Sequence, residues 1–187
     1  MTDTEAGEHR GTVAAVRSFA PIEGRRARVL ILGTMPGVAS LEAARYYAHP
    51  RNAFWPIVTT LLGEPPEAPL PPYRTRLARL RRAGIALWDV LAECERPGSL
   101  DGALRRPSER PNDVVGLCAR HPELRAIAFN GQTAARLYAR HVAPLAAVDE
   151  DIALLTLPST SPAYAALPLA EKRSRWHAAL GPLLDPG

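Results

Sequence analysis

The sequence is poor in cysteine and lysine, with two cysteines and one lysine among its 187 residues. Cys94 and Cys118 are too few for an all-cysteine zinc site or a four-cysteine iron-sulfur cluster, and they do not form a CxxC pair. We therefore predict no metal site and no iron-sulfur cluster. Both cysteines are interpreted as free, buried thiols.

Long apolar runs are also absent from the sequence. No run approaches the ~18 residues that a membrane-spanning helix needs. The first ten residues, MTDTEAGEHR, are polar and acidic, whereas a secretory signal begins basic and continues apolar. These features favour a cytoplasmic protein that has no membrane partner.

The remaining composition is that of a globular protein with a modest positive charge. Apolar residues make up 47% and charged residues 22% of the chain, and the formal net charge is +4. All of the 23 basic residues except one lysine are arginines. Codon usage in a GC-rich genome or selection for phosphate contacts would explain this excess, so it permits a polyanionic partner without identifying one.

The length predicts one domain, because domains typically run to ~100–200 residues. Residues 1–11 are polar and lack periodicity, so we predict a disordered N-terminal tail and a single domain over residues 12–187. We expect this domain to act as a monomer.

Short apolar runs alternate along the chain with longer helix-like segments. The runs show little polar alternation, which is typical of parallel strands covered on both faces. The pattern predicts a three-layer α/β/α domain with right-handed crossovers. The predicted strands are 28–32, 85–88, 126–129 and 152–157, and the predicted helices are 52–62, 73–83, 112–120, 132–141 and 169–180.

Small, polar or turn-forming residues follow each predicted strand. They are GTMPG at 33–37, Asp89, Asn130 with Gly131, and PSTSP at 158–162. Ligands of open parallel sheets bind beyond the carboxyl ends of the strands, so these four segments are expected to converge on one pocket.

Several familiar site motifs are missing from these segments. GTMPG is neither a Walker loop nor a GxGxxG dinucleotide fingerprint, so we predict no nucleotide cofactor, and no other cofactor is indicated. The sequence also lacks the GxSxG elbow of α/β-hydrolases and the zinc-binding motif of nucleobase deaminases.

An aromatic and polar segment, YYAHPRNAFW at 46–55, follows the first turn. Asn52 stands where a helix is predicted to begin, and the amide side chain would suit a helix cap. Phe54 and Trp55 have core packing as their simplest interpretation. The alternative is that His49, Asn52 and Phe54 belong to a site.

The ordered set of motifs resembles the uracil-DNA glycosylase superfamily, and within it the deoxyinosine (hypoxanthine) DNA glycosylases most of all. No single motif carries the resemblance, but together they occur in the family's order across most of the predicted domain. The motifs are GTMPG (33–37), HPRNAFW (49–55), ALWDVL (86–91) with RPGSLD (96–101), FNGQTA (129–134) and LPSTSPA (157–163).

The resemblance implies a central four-stranded parallel sheet and an enzyme that hydrolyses the N-glycosidic bond of a damaged base. Its partner would be double-stranded DNA that contains a deaminated base. Such an enzyme flips the base out of the duplex at a cost of a few kcal/mol, so it needs a stacking surface, a polar wall, phosphate contacts and a wedge.

The resemblance also implies roles for individual residues in the base pocket. Phe54 matches the aromatic that stacks on the flipped base. Asp89 matches the base-recognising amide of relatives, and as a carboxylate it would accept the N1–H of hypoxanthine and repel the bare N1 of adenine. A structural role as a helix cap or arginine partner is the alternative for Asp89. The remaining predicted base contacts are Gly33, Met35, His49 and Asn130.

Asn52 matches the asparagine that the deoxyinosine glycosylases use in catalysis. Its amide would orient a water beneath the anomeric carbon as oxocarbenium character develops. Helix capping is the competing role.

A second group of residues is predicted to contact DNA outside the base pocket. Tyr164 is the candidate wedge side chain that enters the duplex. The other predicted contacts are with phosphates or the adjoining backbone, and they come from Gly37, Arg51, Ser159, Thr160, Ser161 and Pro162.

Two departures from the family affect the predicted substrate. Uracil-specialised relatives carry Asp or Asn where this chain has Met35, and His or Asn where it has Leu157. These losses favour hypoxanthine, with xanthine as a second substrate. A uracil or thymine mismatch glycosylase and a non-catalytic module that binds damaged DNA are the alternatives.

The single lysine bears on the type of reaction. Glycosylases that also cut the strand form a Schiff base through an amine. Lys172 falls in the last predicted helix, where we expect it to lie away from every strand-end loop. We therefore predict a monofunctional enzyme that uses water and leaves an abasic site.

Overall fold

The structure is a computed structural model that describes residues 15–145, 149 and 151–184. Its seven described strands are β1 (Ala15–Arg17), β2 (Val29–Gly33), β3 (Ile85–Asp89), β4 (Leu91–Glu95), β5 (Arg110–Pro111), β6 (Ala126–Asn130) and β7 (Ala153–Leu157). Its six described α-helices are α1 (Val38–Ala43), α2 (Phe54–Leu61), α3 (Tyr73–Arg82), α4 (Val114–Ala119), α5 (Gln132–His141) and α6 (Leu169–Leu184). The tail predicted at 1–11 lies outside the described residues.

A four-stranded parallel sheet forms the centre of the fold, in the order β3-β2-β6-β7. The three-layer α/β class and the four-stranded sheet are therefore confirmed. Every residue of β2 and β3 is buried, as their uninterrupted apolar runs predict. The parallel register pairs Gly33 with Asp89 and Asn130 with Leu157 at the carboxyl ends of the strands.

The expectation that both faces of all four strands are covered is wrong for β7. This strand lies at the edge of the sheet, and only Leu157 is buried among its five residues. An apolar run can form an exposed edge strand, because composition does not record which strands have a neighbour on each side.

A small antiparallel sheet, in the order β1-β4-β5, was not predicted. Strand β4 begins two residues after β3 ends, so the sequence shows no clear break between the ALWD run and this second strand. The short helix α1 after the first turn was also missed. Both elements are five or six residues long, which leaves little periodicity to detect.

The helix boundaries differ from the predicted ones for local reasons. Helix α2 begins at Phe54, and the Asn52 side chain accepts the Phe54 N–H at 3.0 Å from two residues upstream. Helix α4 begins after Asp113, whose carboxylate caps it by accepting the Gly116 N–H. Helix α6 extends to Leu184, four residues beyond the predicted end. None of the described helices is long and apolar enough to cross a membrane.

Large apolar side chains from the helices pack against the sheet to form the core. Trp176 of α6 is fully buried, and its indole N–H donates to the Pro158 carbonyl at 2.9 Å. Cys94 is a buried free thiol as predicted, whereas free Cys118 is partly exposed. The core therefore anchors a strand-end loop directly as well as supporting the strands.

Removal of a core side chain tests the packing of α3 on this sheet. Leu80 is fully buried, so we expect Leu80→Ala to lower the free energy of unfolding by about 2–5 kcal/mol. Leu154 on the edge strand is 54% exposed, and we expect Leu154→Ala to change stability by less than ~0.5 kcal/mol. Urea denaturation of both variants measures the difference, and equal effects would contradict the described packing.

Candidate functional site

A cavity of about 880 Å³ lies at the carboxyl ends of the four parallel strands. It brings together the segments that follow each strand, as the sequence predicts. Twelve of the fourteen predicted site residues line it, and the two exceptions are Phe54 and Arg51. The twelve are Gly33, Met35, Gly37, His49, Asn52, Asp89, Asn130, Ser159, Thr160, Ser161, Pro162 and Tyr164.

Asp89 is the most unusual polar group in this cavity. The residue is 3% exposed, and its Oδ2 atom is buried without a hydrogen-bond partner. Burial and, to a smaller extent, the negative charge of Asp101 together raise the pKa of Asp89 to about 8, although the guanidinium of Arg96 partly offsets them. The prediction of an ionised carboxylate that only accepts is therefore corrected: with this pKa the group is largely protonated near neutral pH and can donate as well as accept.

Gly33 leaves the space that the Asp89 carboxyl occupies. A Cβ at this position would lie 2.5 Å from Asp89 Oδ1 and 2.9 Å from the Tyr47 hydroxyl oxygen. The Tyr47 hydroxyl is also buried without a hydrogen-bond partner. The Asp89 carboxyl and the Tyr47 hydroxyl therefore both lie close to the backbone at the end of β2, where only glycine leaves room for them.

The structure does not place Phe54, the predicted stacking residue, at the cavity. Phe54 is fully buried and does not line the cavity, because the ring of Tyr47 covers it. The two rings stack with centroids 3.9 Å apart and planes 20° apart, and Tyr47 does line the cavity. Tyr47 is therefore the aromatic floor, and Phe54 supports it from below.

Sequence reasoning missed Tyr47 although the signal was present. Tyr46 and Tyr47 are adjacent, and the sequence does not show which ring turns toward the sheet ends. Tyr46 is 3% exposed, and its backbone accepts from the Trp55 indole. Tyr47 has a φ of +54°, a left-handed backbone conformation that is uncommon for a tyrosine. The sequence does not predict this conformation, and it helps to set the direction of the Tyr47 ring.

Asp101 is a second carboxyl group in the cavity that was not predicted. Its Oδ2 accepts a hydrogen bond from the Thr34 hydroxyl at 3.1 Å, and its Oδ1 lies 3.8 Å from Arg96 Nη1. Burial raises the pKa of Asp101, while the Thr34 bond and the Arg96 charge lower it. Asp101 is the last residue of the RPGSLD motif, so this motif is the sequence feature from which Asp101 could have been predicted.

Asn52 and His49 lie together at the start of α2. The Asn52 side-chain oxygen caps the Phe54 N–H, so the capping role that competes with catalysis is real. Asn52 also lines the cavity, and its amide NH₂ group can donate hydrogen bonds that the cap does not use. His49 Nδ1 accepts the Arg51 N–H at 3.1 Å, which leaves the proton of the neutral ring on Nε2.

Two predicted contact residues are engaged with each other. Asn130 Nδ2 donates to the Thr160 hydroxyl, and Asn130 Oδ1 accepts the Thr160 N–H, both at 2.9 Å. Thr160 is 1% exposed, so its hydroxyl is not positioned as the predicted phosphate contact. This pair ties the loop after β7 to the end of β6, and the two residues position the cavity wall.

The rest of the loop after β7 offers groups at the cavity rim. The Ser159 and Ser161 hydroxyl oxygens accept the N–H groups of Ser161 and Ala163. Each hydroxyl hydrogen can still donate outward. Pro162 is exposed and Tyr164 is 38% exposed at the rim.

Gly37 contributes less to the rim than predicted. Its carbonyl begins helix α1, and the adjacent Val38 N–H donates to the Ser99 hydroxyl at 2.9 Å. The Val38 N–H next to Gly37 is therefore already engaged and does not face a DNA phosphate as a free donor.

The expectation that Lys172 lies away from the strand-end loops is wrong. Its ammonium group donates to the Tyr164 carbonyl at 2.6 Å and lies 5.0 Å from the centre of the Tyr164 ring. Burial lowers the pKa of Lys172. Lys172 and Arg51 line a smaller cavity of about 420 Å³ that shares residues of the same loop with the larger one, and neither of the two lines the larger cavity.

No group of three or more metal-ligating side chains occurs among the residues that the structure describes. The polar groups that line the larger cavity include two carboxyls, amides, hydroxyls, one imidazole and the guanidinium of Arg175. This set can hydrogen-bond a planar heterocycle and orient water.

Three comparisons with known proteins match this chain. The family model described as the Uracil DNA glycosylase superfamily matches residues 21–180. A protein named hypoxanthine DNA glycosylase from Methanosarcina barkeri is 34% identical over 116 residues, which cover 62% of this chain and 71% of that protein. A protein of the same name from Methanosarcina acetivorans is 36% identical over 118 residues, which cover 63% and 72%.

A solved structure has the same fold. The solution NMR structure of a candidate uracil DNA glycosylase from Methanosarcina acetivorans superposes with a TM-score of 0.74 at 30% sequence identity. The match covers 91% of this chain and 99% of that one.

The buried carboxyl of Asp89 predicts a specific dependence of stability on pH. Because the folded-state pKa of about 8 lies above the ordinary aspartate value of 3.8, ionisation of the unfolded chain opposes folding as the pH rises between these values. Asn cannot ionise, so we expect Asp89→Asn to match the wild type most closely near pH 3 and to become progressively more stable than it as the pH rises from about 4 to about 8. Thermal unfolding across this range is the measurement, and a pH-independent difference would contradict the assignment.

Proposed function

The chain belongs to the uracil-DNA glycosylase superfamily and is a DNA glycosylase, and from this premise we propose that it removes hypoxanthine from DNA. Hydrolysis of the N-glycosidic bond would leave an abasic site. Both curated relatives described above carry the name hypoxanthine DNA glycosylase, which supports this choice of base. Xanthine, which shares the same purine frame, is proposed as a second substrate.

The unpartnered carboxyl of Asp89 is the observation that carries the proposal of a base with a lactam edge, and the names of the relatives favour hypoxanthine among such bases. Hypoxanthine presents a lactam edge, an N1–H donor beside the O6 acceptor. A neutral carboxyl group can donate its O–H to O6 while its carbonyl oxygen accepts from N1–H. A base with this edge would satisfy a buried group that has no partner in the protein.

Rejection of adenine depends on the protonation state of Asp89. The ionised carboxylate repels the bare N1 of adenine, whereas the neutral acid can pair with adenine as well as with a lactam. Because the pKa of Asp89 is raised to about 8, both forms are accessible near neutral pH. The proposed discrimination by repulsion therefore applies to the ionised fraction only.

Tyr47 is proposed to stack on the flipped base. Its ring is supported by Phe54 on one face, so it is held in place before the base arrives. Base–aromatic stacking is worth ~1–3 kcal/mol per base and accepts any planar heterocycle. Stacking would supply affinity, and the Asp89 edge would supply selectivity.

The reaction itself is proposed to use water as the nucleophile. The Asn52 amide would orient that water toward the anomeric carbon while positive charge develops on the sugar. His49 could donate its Nε2 proton to the departing base or to a phosphate oxygen. Met35 offers no polar group at the position where uracil-specialised relatives activate water, so Asn52 carries the larger part of this role.

The mechanism is proposed to stop at base removal. Lys172 is the only lysine in the chain, and its ammonium group is held by the Tyr164 carbonyl in the smaller cavity. The lowered pKa of Lys172 would favour a nucleophilic amine, but the group does not line the cavity that contains Asp89. Borohydride trapping of the enzyme on DNA would show a covalent complex if the amine attacks.

Excision of uracil or thymine from mismatches is the second candidate. Uracil presents the same lactam edge through N3–H and a neighbouring carbonyl, so Asp89 does not exclude it. Non-catalytic binding of damaged DNA on this fold is a third candidate. For each candidate the proposed setting is a monomer acting on double-stranded DNA in the cytoplasm, at the nucleoid of a bacterial cell.

Single-turnover assays on duplexes that contain hypoxanthine, xanthine or uracil test the substrate assignment. We expect hypoxanthine to be released fastest, with strand cleavage only after alkali treatment. Asn52→Ala is expected to lower the rate by ~10²-fold or more, because it removes the group that orients water. Gly181→Ala, at a helical site with open space around it, is the matched control.

The outcomes separate the three candidates. Faster release of uracil would overturn the hypoxanthine assignment in favour of the mismatch enzyme. Binding to abasic or damaged duplex without any release would support the non-catalytic module. If Asn52→Ala keeps the wild-type rate, the catalytic role of Asn52 is wrong and capping is its function.

The two stacked rings give a test of the aromatic floor. We expect Tyr47→Ala to lower the single-turnover rate by ~10-fold or more through lost base stacking, and Tyr47→Phe to retain most of it. Phe54→Leu is expected to reduce thermal stability more than the rate, because Phe54 belongs to the core. A larger loss of rate in Phe54→Leu than in Tyr47→Ala would restore Phe54 as the stacking residue.

A further inference from the structure

The loop over residues 96–101 forms a wall of the large cavity and is fastened to the turn after β2. Arg96 is 2% exposed, and its guanidinium donates to the Met35 and Pro36 carbonyls. Ser99 accepts the Val38 N–H at 2.9 Å. Further along the loop, Asp101 accepts the Thr34 hydroxyl at 3.1 Å. The side chains of Arg96, Ser99 and Asp101 therefore bond to the segment that follows β2 and hold the backbone of the loop in place.

Leu100 is the exception within this fastened loop. It stands between Ser99 and Asp101, it lines the cavity, and 62% of it is exposed. A large apolar side chain usually escapes water by folding onto nearby apolar surface. Here both neighbours are hydrogen-bonded to another segment, which limits the rearrangement of the backbone that would bury Leu100.

Other exposed leucines lack this combination of features. Leu154 is 54% exposed on the edge strand β7, and Leu169 is 46% exposed at the start of α6. Neither lines the large cavity. Tyr164 does share the cavity with Leu100 and is 38% exposed, but it belongs to the loop after β7. Two apolar side chains from separate loops are thus exposed at one cavity.

We propose that Leu100 is a second apolar wedge, which inserts into the base stack of duplex DNA while the target base occupies the cavity. The inference rests on the proposed function, since the occupant of the Leu100 site is the duplex beside the flipped base. Extrusion of a base leaves a gap in the stack and exposes the faces of its neighbours. An apolar side chain held at the cavity covers one of those faces and is itself removed from water.

The continuity of Leu100 with the cavity identifies DNA as the occupant. Leu100 lines the same cavity as Asp89, so DNA that delivers a base to this cavity approaches the exposed Leu100 side chain. The loop fastening also fits this role, because a wedge that must oppose stacking needs a backbone that does not yield. Arg96 supplies that stiffness, and we assign it as a positioning residue rather than a phosphate contact.

The proposal is tested by comparing duplex and single-stranded substrates. A wedge matters only where stacking must be opposed, so we expect Leu100→Ala to lower the single-turnover rate on duplex by about tenfold and to leave the rate on single strands unchanged. Leu100→Met, which keeps an apolar side chain, should restore most of the duplex rate. Leu154→Ala is the matched control and should behave as the wild type on both substrates.

A fluorescent base provides a second measurement that does not require catalysis. With 2-aminopurine placed next to an abasic-site analogue, insertion of a wedge raises its fluorescence on binding. We expect the increase with wild-type protein and with Leu154→Ala, and a smaller increase with Leu100→Ala. An equal duplex-to-single-strand ratio and equal fluorescence for Leu100→Ala and Leu154→Ala would overturn the wedge.

The two proposals fail in different ways. If the wild type releases no deaminated base but Leu100→Ala still loses the fluorescence change, the proposed reaction is wrong and the wedge stands. If the wild type releases hypoxanthine and Leu100→Ala is unaffected in both measurements, the reaction stands and the wedge is wrong. Failure of the wild type both to release a deaminated base and to bind the abasic duplex would overturn both.

Discussion

The site depends on one constraint, the burial of an unpartnered carboxyl group at the end of β3. Parallel pairing places Asp89 directly beside Gly33, and the missing Cβ of Gly33 provides the space for the carboxyl. Burial and the nearby Asp101 raise the pKa of Asp89 to about 8. The fold thus carries a polar group that its own side chains do not satisfy, which is costly unless a ligand supplies the missing hydrogen bonds.

The walls around that carboxyl are held by contacts between loops that are far apart in sequence. Asn130 fixes the loop after β7 through both hydrogen bonds of Thr160, and Arg96 fixes the loop after β4 through carbonyls of the first turn. These side chains form hydrogen bonds within the protein and position the cavity walls, so the contacts with a substrate are left to neighbouring groups. A preorganised cavity of this kind does not have to be rebuilt when the base enters.

The predicted elements and the observed ones agree where the apolar runs are long or the helices strongly periodic. The central sheet and helices α3 and α5 were predicted within a residue or two, because burial of one face imposes a period on the sequence. The short strand β4, the helix α1 and the exposure of β7 escaped prediction. They depend on which segments become neighbours, and such neighbours are not encoded in local periodicity.

The sequence by itself determined the family, the sheet and the group of segments that line the cavity, because strand ends converge in any parallel α/β sheet. Only the tertiary structure decided which member of each segment does what. Tyr47 rather than Phe54 faces the cavity, Thr160 is buried by Asn130, and Lys172 contacts Tyr164. Adjacent residues of one segment can be chemically similar and yet differ in burial and in hydrogen-bond partners. Packing against distant segments sets those differences.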